Sequence, residues 1–185
     1  LLDFHVKGSQ VAAELEVGGT SVTHHTRLLV AADGAHSSVR ERLGIATRQW
    51  DYGQTAVIAN VTPEREHHNV AYERFTDTGP MALLPMLGNH CALVWTVRSQ
   101  QAEEILALSD TEFLERLQQR FGNRLGRFMK AGQRHAYRLQ LLRARESIRP
   151  RLALIGNAVH TLHPVAGQGF NLGLRDVAAL AEVVI

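Results

Sequence analysis

Between Leu152 and Asp176 the chain reads Leu-Ala-Leu-Ile-Gly-Asn-Ala-Val-His-Thr-Leu-His-Pro-Val-Ala-Gly-Gln-Gly-Phe-Asn-Leu-Gly-Leu-Arg-Asp. These residue types suit the cradling of a flat, polar ligand. A short apolar strand delivers Gly156 and Asn157 to a sheet edge, and Gly167 and Gly169 lead into a helix. Glycine lacks a Cβ, so a ligand can approach its backbone closely. The first N–H groups of a helix have no internal partner and favour an anion or a polarised carbonyl. Asn157 can hydrogen-bond hydroxyls without bringing charge. A plain strand–turn–helix packing unit, with its glycines serving turns, explains the same residues on physics alone. No metal is expected at His160 and His163: their spacing is short, Pro164 follows at once, and no cysteine or carboxylate is arranged around them. His24-His25 and His67-His68 sit in polar stretches and are expected to be exposed.

The elements around this stretch follow from the hydrophobic pattern. Phe4–Val6, Val11–Val17 and Ser21–Ala31, separated by Gly8-Ser9 and Gly18-Gly19, read as a three-stranded antiparallel meander. Its last strand ends in the fully apolar Leu28–Ala32, expected to be buried. Ser37–Leu43 reads as a short helix. Strands are expected at Thr55–Val61, Val70–Phe75, Met81–Leu87, Cys91–Val97 and Tyr137–Ala144, with turns at Pro63, Gly79-Pro80 and Gly88-Asn89. Helices are expected at 101–108 and 111–121, the second capped by Ser109 with Glu112 completing a capping box. From Phe170 to Ile185 the period is helical, with Phe170, Leu174, Val177, Ala178, Ala181 and Val184 on one face.

The chain has 185 residues, 45% hydrophobic and 21% charged, which is the balance of a soluble globular protein and excludes disordered and fibrous classes. Cys91 is the only cysteine, so no internal disulfide can form. No apolar run approaches the roughly 18 to 20 residues of a membrane span. Both ends read as the interiors of elements, so the expectation is a part of a longer protein. The formal net charge of +2 hides an asymmetry: eleven basic residues and one acid, Glu146, lie between Arg116 and Arg151. That basic stripe is either a solvated face with arginines paired to carboxylates, or a contact for phosphates, anionic lipid or an acidic partner. Nucleic acid is not expected, because no aromatic residues interleave the arginines and no recognition motif is present.

The Gly156–Asp176 stretch resembles the third FAD-binding motif of the class A flavin-dependent aromatic hydroxylases. The matching residues are Gly156-Asn157-Ala158-Val159-His160, Pro164, Gly167-Gln168-Gly169, Asn171 and Asp176. A second motif of that family appears as Asp33-Gly34-Ala35-His36-Ser37-Ser38-Val39-Arg40. The two occur in the family's order, with a β-rich insert between them. The form Leu-His-Pro-x-Ala-Gly-Gln-Gly-Phe-Asn-Leu-Gly is most similar to the ubiquinone-biosynthesis hydroxylases, and the Gly-Asn pair to their 2-octaprenyl-6-methoxyphenol hydroxylase branch. Two departures stand out. Asn157 replaces the Asp usual in the wider family, and no Gly-x-Gly-x-x-Gly unit for the ADP part of FAD is present.

The resemblance implies a fold class of α+β with α/β character. Residues 1–44 and 148–185 would be parts of an FAD-binding domain, the meander in one and the strand–loop–helix in the other. Residues 45–147 would be an inserted mixed β-sheet substrate domain with helices at about 101–121. It implies a monooxygenase using NAD(P)H and O₂ to hydroxylate a polyprenyl phenol. Asp33, Gly34, Arg40, Gly156, Asn157, Pro164, Gly167, Gln168, Gly169, Phe170 and Asn171 would contact FAD, with Pro164 and Val165 lining the ring and Asn157 on the ribityl chain. Asp33 and Arg40 would lie near the pyrophosphate and the NAD(P)H path; a surface ion pair is the plain alternative for Arg40. Met81–Leu87 and Cys91–Val97 would supply a polyprenyl wall or ordinary sheet core. No general base stands out. The expected location is cytoplasmic, with the basic stripe as a peripheral contact to the inner membrane or a biosynthetic complex. One other reading remains open, a binding or assembly module that keeps the fold without flavin; a flavin reductase acting on prenyl chains shares the fold but is disfavoured by the close match around His163–Gly173.

Overall fold

The computed structural model describes residues 1–164 and 167–184. Val165, expected to line a flavin ring, lies outside the described residues. The chain divides into two compact units, Leu1–Trp50 with Gln140–Ile185, and Asp51–Leu139.

In the first unit, β1 (Asp3–Lys7), β2 (Gln10–Val17) and β3 (Thr20–Thr26) form the antiparallel meander. Val17 pairs with Thr20, so Gly18-Gly19 is a two-residue turn. Both glycines have positive φ, +58° and +80°, the backbone a type I′ hairpin turn requires. The third expected strand divides at Arg27. Thr20–Thr26 is polar and solvent-facing, whereas β4 (Leu29–Ala31) is apolar and joins a different sheet. Hydrophobicity marked β4 as a strand but not its partner. The helix α1 (Ser38–Arg42) follows, with Ser37 as its cap: the Arg40 N–H donates to Ser37 Oγ at 3.0 Å.

The second unit contains most of β5 (Thr47–Pro63), then β6 (Tyr72–Thr76), β7 (Gly79–Pro85), β8 (Cys91–Arg98), α2 (Ala102–Ala107), α3 (Asp110–Phe121) and β9 (Phe128–Ala131). β5 and β10 (His135–Ala144) carry the chain between the units. The sheet order is β10-β5-β8-β7-β6, with β9 also on β5. A mixed sheet was expected; its described pairings are antiparallel. The capping box forms as read, with the Ser109 N–H donating to Glu112 Oε2 at 2.9 Å and the Glu112 N–H to Ser109 Oγ at 3.3 Å. The apolar face of α3 buries Phe113, Leu117 and Phe121 against Val57, Leu93 and Trp95 of the sheet.

Strand alternation divides the proposed polyprenyl wall. Met81, Leu83, Cys91, Leu93, Trp95 and Val97 belong to this core, whereas Ala82, Leu84, Ala92 and Val94 alternate with them on the opposite side. The paired histidines also divide. His68 is exposed, but His67 is only 6% exposed. Its Nδ1 accepts from the Asn69 N–H at 3.0 Å, and its Nε2 donates to Gly88 O at 3.0 Å and Met86 O at 3.2 Å. Its polar sequence neighbourhood hid a role as a tie between two loops.

The chain re-enters the first unit through β11 (Ile148–Arg149), β12 (Leu152–Leu154), a 3-10 turn at Gly156–Ala158, β13 (His160–Thr161) and α4 (Gln168–Val184). β12 lies between β11 and β4, antiparallel to the first and parallel to the second. Phe4, Val11, Ala31, Val39, Leu152, Leu154 and Ala158 form the core of this unit. The stripe on α4 has the expected period, yet Phe170 is 74% and Leu174 52% exposed. The helix instead turns Leu172, Gly173, Asp176 and Leu180 inward. Periodicity located the apolar face and not what covers it. No described helix is long and apolar enough to cross a membrane.

Candidate functional site

The site is built around the turn that follows β12. Parallel pairing sets Leu154 beside Ala31, and the Ile155 N–H donates to Ala31 O at 3.0 Å. Two segments far apart in sequence, Asp33–Arg40 and Gly156–His160, therefore emerge from neighbouring strands. Both carry candidate residues.

Arg40 ties them together. Its side chain is buried, with the residue 7% exposed. Nη1 donates to Ala158 O at 2.8 Å and Nη2 to Ala35 O at 2.7 Å. This corrects the surface-ion-pair reading: no described carboxylate pairs with Arg40. The guanidinium is a fork between two carbonyls, and fixed fork geometry is what distinguishes Arg from Lys. Arg40 is thus a positioning residue for the Gly156–Ala158 turn.

Asp33 serves the start of α1. Its Oδ2 accepts from the Val39 N–H at 3.2 Å and from Ser38 Oγ at 3.3 Å. Partial burial pushes the carboxyl upward, but hydrogen bonds from Ser37, the Val39 N–H and Ser38 outweigh it, and the pKa falls below the ordinary Asp value. A depressed folded-state pKa stabilises the fold above the unfolded value of about 3.9. That stabilisation is lost as pH falls through the folded value. In urea titrations, Asp33→Asn should therefore be less stable than wild type above about pH 5, with the gap narrowing below about pH 4. A gap independent of pH would show that the ionised carboxylate does not matter. Gly34 has φ +86° and gives the chain its turn after β4.

On the other side, Asp176 of α4 accepts from the Gly156 N–H at 2.8 Å. The same carboxylate oxygen lies 3.6 Å from His160 Nε2, which is buried without a hydrogen bond among the described residues. A carboxylate does then stand beside His160, contrary to the sequence reading. Even so, the described residues hold no group of three or more metal-ligating side chains. Gly156 has φ +59°, and a Cβ on Gly173 would stand 3.7 Å from Gly156 Cα. The positive φ of Gly156 favours glycine there, and Gly173 lies in van der Waals range of the turn. Asp176 was part of the motif, but only the folded chain shows that it clamps the turn.

Between the Arg40 and Asp176 clamps, Asn157 is exposed and its amide has no hydrogen bond among the described residues. Gly167 has φ +62°, and a Cβ added at Gly167 or Gly169 would meet nothing within 4 Å. The Gly167 N–H donates to Pro164 O at 3.1 Å. Gln168, Gly169, Phe170 and Asn171 form the first turn of α4. His163 is half-buried, and desolvation lowers its pKa, which favours the neutral ring. The described candidates fit the polar rim and ring of a flavin: a free amide, open glycines and a helix N-terminus in one unit.

Five of the eleven basic residues of the stripe are paired with carboxylates among the described residues. Arg116 pairs with Glu104, Arg120 with Asp77, Arg134 with Asp110, Arg138 with Asp51 and Arg149 with Glu146. Arg124 stands over the Tyr72 ring, 5.9 Å from its centroid. The carboxylate-pairing alternative accounts for these arginines, and they lie on several elements rather than on one helix face.

The fold and site define a flavin-binding architecture, and the chain belongs to the FAD-binding-domain family, whose model matches residues 1–185. It is 49% identical over 175 residues to the ubiquinone hydroxylase UbiL of Rhodospirillum rubrum, covering 95% of this chain and 40% of that protein. It is 36% identical over 174 residues to the 3-demethoxyubiquinol 3-hydroxylase of Escherichia coli K12, covering 93% of this chain and 44% of that one. The chain thus spans less than half the length of these relatives. Among solved structures, p-nitrophenol 4-monooxygenase PnpA from Pseudomonas putida DLL-E4 superposes with a TM-score of 0.77 at 21% identity, over 98% of this chain and 46% of that one. At that identity the match speaks for the fold.

Proposed function

We propose that the intact protein is an FAD-dependent monooxygenase that hydroxylates a polyprenyl phenol in ubiquinone biosynthesis, with NAD(P)H and O₂ as co-substrates. The single observation that carries this is the clamped turn. Arg40 and Asp176 hold Gly156–Ala158 from two sides and leave the Asn157 amide without a partner among the described residues. Bound FAD would supply the redox chemistry that joins reductant, O₂ and phenol. Asn157 would hydrogen-bond the ribityl hydroxyls. The N–H groups at the start of α4 would hold negative charge on the ring. Gly167 and Gly169 would leave room for the ring plane, with Pro164 beside it. Arg40 and Asp33 act one step back, by fixing the loops. The names of the two hydroxylase relatives support the choice of substrate class.

The test is the flavin absorbance of the intact protein as purified, followed by NAD(P)H oxidation with and without polyprenyl phenols. Bound flavin and phenol-dependent oxidation are the expected results. Asn157→Leu should lower flavin occupancy about tenfold, the scale of one lost hydrogen bond to a partly buried ligand. Protein that folds but carries no flavin, and takes up none when FAD is added, would sink the proposal in favour of a binding or assembly module.

A further inference from the structure

Five arginines of the basic stripe are neutralised by carboxylates, but two neighbours at the end of β10 are not. Arg143 and Arg145 line a cavity of about 470 Å³ together with Arg48 of β5 and Ala144. All three arginines are exposed, and none has a side-chain hydrogen bond or ion pair among the described residues. The nearest acids in sequence are engaged elsewhere: Glu146 holds Arg149, and Asp51 holds Arg138. The backbone keeps the three together. The Arg145 N–H donates to Ala46 O at 2.9 Å, which joins the end of β10 to the chain entering β5.

Three like charges around one concavity repel one another, and no described carboxylate relieves them. That arrangement favours an anion of matching charge. Each guanidinium offers five N–H donors in a planar fork suited to phosphate oxygens. The volume is within the range of small-ligand sites. The cavity also lies one strand from the clamped turn, since Arg143 pairs with His160 across β10 and β13.

We infer that Arg48, Arg143 and Arg145 form a binding site for a phosphate-bearing anion. Two sources share this chemistry, the diphosphate of a soluble nucleotide and the headgroup of an anionic lipid. The inference stands apart from the flavin reading, because it concerns residues outside the clamped turn and needs neither flavin nor turnover to be tested.

The experiment uses the intact protein and two probes. Inorganic pyrophosphate is titrated by calorimetry, and flotation is measured with phosphatidylcholine vesicles with and without phosphatidylglycerol. The compared variants are the triple Arg48→Gln/Arg143→Gln/Arg145→Gln and the single Arg127→Gln, an exposed arginine of the same stripe that does not line the cavity. The triple variant should lose at least about tenfold in affinity for one probe, the scale of lost charge-assisted hydrogen bonds. Arg127→Gln should change it less than about twofold. Loss confined to pyrophosphate assigns a soluble phosphate; loss confined to phosphatidylglycerol vesicles assigns a headgroup. Equal losses in the two variants would reduce the effect to overall charge and overturn the site, as would wild-type protein that binds neither probe. The Arg→Lys triple, which keeps charge and loses the fork, covers the case in which the Gln triple fails to fold; full binding by it would remove the geometric part of the claim.

Discussion

Arg40→Met is expected to destabilise the first unit by about 3 to 5 kcal/mol, the range for removing one member of a buried charged interaction. The arithmetic follows from the contacts. The guanidinium donates at 2.8 Å and 2.7 Å to two carbonyls, Ala158 O and Ala35 O. Ala158 is fully buried. Methionine fills some of the volume but donates nothing, so Ala158 O loses its partner where water enters poorly, and the part-buried Ala35 O loses its partner too. Arg40→Lys should recover only part of the loss, because one ammonium on a flexible stem cannot replace the fork. Urea unfolding followed by circular dichroism on the intact protein measures both. A midpoint for Arg40→Met equal to wild type would show that the turn holds without the guanidinium. Flavin occupancy should fall with stability in Arg40→Met, as expected of a residue that acts through the turn, whereas Asn157→Leu should lower occupancy while leaving the midpoint near wild type.

The second large effect belongs to the other unit. Phe113→Ala should cost about 3 to 5 kcal/mol, the usual range for truncating a buried aromatic. Phe113 is completely buried in α3 and packs at 5.8 Å, centroid to centroid, against Trp95. The Arg134 guanidinium stands 4.9 Å from the same ring centroid while also pairing with Asp110. Removing the ring therefore opens a cavity and strips Arg134, whose side chain is largely buried, of a cation–π contact worth about 1 to 2 kcal/mol. Phe113→Leu should restore most of the loss because it refills most of the volume. Near-ultraviolet circular dichroism of Trp95 reports the change locally. A loss below about 1 kcal/mol for Phe113→Ala would mean that the helix can close over the gap.

Local features were legible in the sequence because their causes are local. Ser109 and Glu112 lie three residues apart, and their capping box forms as the spacing implies. The Gly18-Gly19 turn and the period of α4 are of the same kind. Features decided by distant partners were not. Leu28–Ala32 was visible as an apolar strand, but its pairing with Leu152–Leu154 depends on a segment more than a hundred residues away. Phe128–Ala131 escaped notice because its strand character was masked by surrounding arginines. Arg40 showed its charge but not the two carbonyls that enclose it. Gly156, Asn157 and Asp33 were recognisable from motif spacing, while the roles of Asp176 and Arg40 as clamps required the fold. The basic stripe was a true feature of composition, yet its partners are scattered along the sequence from Asp51 to Glu146.

The parallel pairing of β4 with β12 also bears on how the chain folds. Residues 31 and 154 must meet to start that ladder, and closing an open loop of that length costs about 4 kcal/mol in chain entropy. A folded second unit changes the problem. With Arg138 paired to Asp51 at the two ends of that unit, the floating chain shrinks to the short arms on either side, and the closure cost falls by about 1 kcal/mol. Asp51–Leu139 therefore acts as a non-covalent staple for the unit it interrupts. A mutation such as Phe113→Ala, which touches nothing in the clamped turn, should slow the assembly of that turn by delaying the staple.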